Sequence, residues 1–304
     1  MSEHITHVAV FEDSTRIGLS TGRLPKAFHQ VLDQHWELAR FASASRSGDR
    51  HSIPLLKFLK EKWPARRAGD YVEEKLAFLL GWRTHQAADR RFKPVYRELQ
   101  PEHYAKAANP DTSAPSDVSV LHDAIVYREV YGNGEYAPYP PGLLEDRMTS
   151  FAASKALEPA STMDLFGSVF QRGLLELHPA NQTPETAPKV FQRFYVDIQR
   201  YSEKWAAADP RELLNYIYAP NFYDPGDPLI QLARALQRKL PPPKISFDEA
   251  YAAARRGSQY AQSVRMGVKY LLAAGDFWDG RIGEKQLFEA FDLGKSHLEG
   301  GTEQ

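Results

Sequence analysis

The stretch from Phe78 to Asp89 places an imidazole, His85, and a carboxylate, Asp89, four residues apart at the end of an apolar run, with no proline between them. On a helix, side chains at that spacing lie one above the other on the same face. The apolar residues that precede them carry this face inward, where an uncompensated histidine and aspartate are costly. Two chemistries fit: the pair hydrogen-bonds within a helical core, or both side chains clamp a divalent cation.

The other histidines bear on that choice. Eight of the ten fall within the first 122 residues, so the chemistry of this chain is expected in its first part. There are no cysteines, which excludes disulfides and thiolate metal sites and leaves His, Asp and Glu as the strong ligands. One helix face supplies only two or three of these, so a site must gather several segments. Ile5-Thr6-His7, the turn-like Ser47-Gly48-Asp49-Arg50-His51 and Leu121-His122-Asp123 are the segments available.

Thr6-His7 opening a helix, a small-residue loop ending in Asp49, the run Leu79-Leu80-Gly81-Trp82 leading to His85 and Asp89, and Pro94 five residues on together resemble the zinc-dependent phospholipase C family. That family shares an all-helical fold with zinc nucleases that cut single-stranded nucleic acid. The resemblance spans residues 4 to 130. It implies metal binding by His7, Asp49, His85 and Asp89, with His122 the best match to a further histidine on a later helix. Three positions depart from the family. No tryptophan opens the chain, Lys93 stands before Pro94 where a histidine is usual, and Val126 sits four residues after His122 where a glutamate is usual. A smaller metal set, substitution by His51, His103, Asp123 or Glu129, or an eroded site are the alternatives these departures leave open.

The resemblance implies a metal-dependent hydrolase of a phosphate ester, a phospholipid or another small phosphodiester, using Zn2+ or another divalent ion such as Mn2+. Asp49, on a loop beside the metal, is the candidate for orienting or deprotonating the attacking water, and Lys93 for pairing with the substrate phosphate. Two other classes compete. An HD-type metal-dependent phosphohydrolase is suggested by the adjacent His122 and Asp123, with His85 and Asp89 as upstream partners. A non-enzymatic helical protein with an eroded metal site is the other.

The elements that must position these residues are helical throughout. Phe28 to Phe41 and Ile53 to Trp63 have apolar residues at helical spacing, the latter with Pro54 in its first turn. Asp70 and Glu73 predict a capping box for the helix that carries His85 and Asp89. Residues 90 to 117, punctuated by Pro94, Pro101, Pro110 and Pro115, read as less regular. A helix over Val118 to Tyr131 holds His122, and an aromatic, glycine- and proline-rich segment from Tyr131 to Gly142 follows. Further helices are expected over Thr183 to Trp205, Leu229 to Leu240 and, as one long element, Ser246 to Ala274.

No β alternation, internal repeat, Walker, Rossmann or nucleophile-elbow pattern interrupts this. The expectation is an all-α fold, a multi-helix bundle of the phospholipase C and nuclease type with additional C-terminal helices. Residues 1–145 would form the metal-site region and residues 146–304 a C-terminal helical region packed on it as one unit. With 38 basic and 39 acidic residues, nothing global favours nucleic acid as a partner. The first residues carry no basic and apolar leader and no run is long enough to span a bilayer, so the expected location is cytoplasmic. The oligomeric state has no signature in the sequence.

Overall fold

The computed structural model describes residues 4–44, 49–67, 69–99, 122–123, 125–132 and 221–295. Among them there is helix and no strand, and the fold is all-α. The first part contributes α1 (His4–Ser20), α2 (Lys26–Gln34), α3 (Trp36–Ser43), α4 (Asp49–Lys62) and α5 (Val72–Leu99). A π-helical turn follows at Tyr127–Tyr131. The last part contributes α6 (Pro228–Arg238), α7 (Phe247–Ala253), α8 (Gln259–Trp278) and α9 (Glu284–Ala290). No described helix is long and apolar enough to cross a membrane.

The centre of the fold is α5. Every residue from 75 to 90 is buried, so this helix has no solvent face along that length and is covered by α3, α8, α1 and α4. A helix buried all round must find partners for each polar side chain it carries. Arg83, for example, donates to Ser52 Oγ at 2.8 Å and lies over the rings of Tyr270 and Phe291. α8 closes against α1 where Gly267 meets Ser14; a Cβ there would stand 2.2 Å from Ser14 Oγ. That hydroxyl donates to the carbonyl of Val264 at 3.1 Å. The last part is fastened to α1 by a buried polar cluster in which Asp13 pairs with Arg234 of α6 and accepts from the Tyr260 hydroxyl of α8 at 2.8 Å.

Several boundaries differ from the sequence reading. The run from Phe28 to Phe41 is two helices, because the backbone turns at His35 (φ −125°, ψ 34°) and restarts at Trp36. The single long helix expected from Ser246 to Ala274 is also two. α7 gives way to a short 3-10 turn at Ala254–Arg256, Gly257 is extended, and Ser258 caps α8 by accepting from the Ala261 N–H at 3.2 Å. Asp227 holds this break by accepting from the Ser258 N–H at 2.8 Å.

The capping box expected at Asp70 and Glu73 is replaced by other contacts. Glu73 accepts from Gln30 at 2.8 Å and Arg66 at 2.6 Å, while Asp70 accepts from the Arg67 N–H at 3.1 Å. By contrast Ser246 and Glu249 do form a capping box at the start of α7. α5 also continues past Pro94 to Leu99, beyond the point where the prolines suggested irregularity. Proline there withholds the N–H that the Arg90 carbonyl would otherwise accept, and the burial of the flanking helix, with Phe92 wholly inside, offsets the loss. The expected helix over Thr183 to Trp205 and nearly all of the segment from Tyr131 to Gly142 lie outside the described residues.

Candidate metal centre

His7 on α1 and His85 and Asp89 on α5 converge on one buried point. His7 is 2%, His85 4% and Asp89 1% exposed, and one ligand atom from each lies within 4.8 Å of the other two. The imidazoles stack with centroids 4.2 Å apart and planes 20° from parallel. His7 Nε2 stands 3.4 Å from Asp89 Oδ1, and His85 Nε2 stands 3.3 Å from Asp89 Oδ2.

Two features of the fold set this geometry. The first is the close approach of α3 and α5 at Gly81, where a Cβ would fall 1.9 Å from the carbonyl oxygen of Ala39. One turn further along both helices, His85 Nδ1 meets the carbonyl of Ser43, the last residue of α3, at 2.8 Å. A carbonyl at a helix end has no partner within its own helix and only accepts. Nδ1 must therefore carry the proton, and in that tautomer the lone pair is on Nε2.

The second feature is the N-terminus of α1. Asp123 accepts from the backbone N–H groups of Ile5 and Thr6, each at 2.9 Å, and from the Thr6 hydroxyl. A carboxylate 117 residues away in sequence thus caps the first turn of α1, one residue before His7.

The donor set suits a divalent ion. His85 Nε2 and Asp89 Oδ1 are both buried without a protein hydrogen-bond partner, and a divalent ion shared between them would satisfy both. Two ligand atoms each about 2.1 Å from a tetrahedral ion lie about 3.4 Å apart, which matches the imidazole-to-carboxylate separations. Three protein ligands also leave a coordination position for water, as catalytic zinc sites require. Burial alone would raise the Asp89 carboxyl, but the Lys93 ammonium outweighs it and holds the group well below the usual carboxylate range. Lys93 Nζ donates to Asp89 Oδ2 at 2.7 Å.

The other residues singled out from the sequence fall as follows. Asp49 opens α4 instead of lying on a loop, and its side chain, like those of His51 and His103, lies outside the described residues. His122 is not in the cluster: it is wholly buried, stacked on Phe222 with centroids 3.9 Å apart. Burial pushes its imidazole down to about 3. Asp123, next to it, turns its oxygens to α1. Glu129, on the π-helical turn, pairs with Arg128 at 2.7 Å. Among the described residues, the cluster therefore gathers three of the five expected ligands.

Three contacts of the site escaped the sequence reading, although Lys93 and Asp123 were themselves named as candidates in other roles. The Ser43 carbonyl belongs to the backbone and has no side-chain signature. The direct Lys93 to Asp89 contact was readable as an i, i+4 pair. Asp123 as a cap for α1 depends on a contact across 117 residues and could not be read locally. No protein-family model, no curated protein and no solved structure matches this chain.

Proposed function

We propose that the chain is a metal-dependent hydrolase of phosphate esters in which His7, His85 and Asp89 hold one divalent ion, zinc or manganese. The observation that carries this reading is the convergence of two imidazoles and a carboxylate from α1 and α5 with a lone pair and an anionic oxygen left unengaged inside the fold. A divalent ion supplies an activated water near neutral pH and neutralises charge on the phosphoryl oxygens. The protein's own contribution is to fix the two imidazoles, one through the Ser43 carbonyl and the other through the Asp123 cap, with all three ligand side chains buried. Lys93, 18% exposed at the edge of the cluster, is the residue proposed to pair with a substrate phosphate. Asp49 is proposed to orient the water. The substrate is a small-molecule or lipid phosphate ester.

The HD-type alternative needs Asp123 on the metal, and both of its oxygens accept from the N–H groups of α1. The non-enzymatic alternative draws support from the Lys93 to Asp89 ion pair, which already compensates the buried carboxylate.

Metal analysis by mass spectrometry after dialysis against zinc or manganese should give about one ion per wild-type chain. His85→Ala and Asp89→Ala should each lose it, and cleavage of generic phosphate mono- and diesters should require the ion and stop on chelation. Equal metal content in the wild type and both variants would overturn the proposed site. Metal binding without any cleavage would leave a metal-binding protein and refute the hydrolase.

A further inference from the structure

Asp89 is 1% exposed, and among the described residues the full cation paired with it is Lys93, which stands closer to it than either imidazole: 2.7 Å against 3.3 and 3.4 Å. Lys93 follows Asp89 by one turn on α5 and engages Oδ2, the same oxygen that faces His85 Nε2. It is also the member of the group that reaches solvent, with 18% of its side chain exposed, whereas His7, His85 and Asp89 are shut in. A lysine ammonium is a compact point charge on a flexible stem. A buried carboxylate requires about one compensating cation, and a second one nearby is repelled.

We propose that Lys93 is a built-in competitor of the metal: its ammonium and a divalent ion exchange at Asp89, and the displaced ammonium swings to the solvent edge, where it can meet an anionic ligand. This rests on the proposed metal site and adds its regulation. Metal binding is a cation exchange, so the wild-type affinity is weaker than the two imidazoles and the carboxylate alone would give. The same exchange couples loading of the metal to exposure of a positive charge at the mouth of the site.

The test is titration of the metal-stripped full chain with zinc alone and manganese alone, by calorimetry or a chromophoric chelator in competition. Lys93→Met keeps the apolar stem and removes the charge, Lys93→Gln is a second neutral variant should the first fail to fold, and Lys93→Arg keeps the charge. The neutral variants should bind at least about tenfold more tightly than wild type, since a like charge a few ångströms from the ion is removed. Lys93→Arg keeps a cation on Asp89 and should bind no more tightly than wild type. Neutral variants that bind equally or more weakly would overturn the exchange while leaving the metal site standing, and would make Lys93 a support for Asp89. Binding by the neutral variants and not by wild type would uphold the exchange and refute a metal enzyme in the wild-type chain. No binding by any of them would remove both.

Discussion

Replacing Asp123 with alanine tests the claim that a residue far along the chain positions the start of α1. Ile5 is 3% and Thr6 0% exposed, so the two N–H groups that Asp123 accepts cannot turn to water when it is removed. Each buried N–H left unpaired costs about 1–3 kcal/mol, and losing a carboxylate at a helix N-terminus adds about 0.3–1 kcal/mol. Asp123→Ala should therefore lower stability by about 3 kcal/mol or more. With a urea m-value of about 3 kcal/mol/M for a chain of this size, the unfolding midpoint should move down by about 1 M at unchanged slope. Asp123→Asn keeps one acceptor oxygen and loses the charge, so about half the loss is expected. Because His7 follows Thr6 directly, both variants should also bind metal less tightly. Equilibrium urea unfolding followed by tryptophan fluorescence and far-ultraviolet dichroism measures the first effect. An alanine variant within about 0.5 kcal/mol of wild type, the noise of an ordinary surface substitution, would refute the capping role.

Acid stability should report His122. Its imidazole, pushed down to about 3 by burial, stays neutral in the folded chain while the unfolded chain takes up a proton below about pH 6.5. Below that pH the unfolded state binds more protons, so stability falls with acidification by up to about 1.4 kcal/mol per pH unit down to about pH 3. His122→Phe, which preserves a ring against Phe222, should flatten that slope when urea midpoints at pH 7 and pH 5 are compared; an unchanged slope would count against it. Gly81→Ala should destabilise the fold by about 3 kcal/mol or more, because its Cβ would fall inside the Ala39 carbonyl and force α3 and α5 apart. It should carry metal binding down with it by separating His85 from Ser43, and an alanine variant with wild-type stability would show that the two helices are not in that contact.

Local pattern determined much of this protein. Apolar spacing and the absence of β alternation give an all-helical chain, and the i, i+4 relation of His85 and Asp89, extended to Lys93, is a property of any helix regardless of what surrounds it. The Ser246 capping box was equally local, since both of its partners lie within four residues. What tertiary structure decided were the features whose partners are remote. Two helices break at His35 and Gly257 although the apolar pattern runs through, the second break held by Asp227 from 31 residues away. α5 runs through Pro94 because packing on all sides outweighs one missing hydrogen bond. Of the five expected ligands, His7 is brought to His85 and Asp89 by the packing of α1 on α5, whereas His122, on a segment closer in sequence to α5, packs its ring on Phe222 and leaves Asp123 to cap α1. Residue type and spacing state which side chains are able to bind a metal; which lone pairs remain free to do so depends on hydrogen bonds that only the folded chain completes.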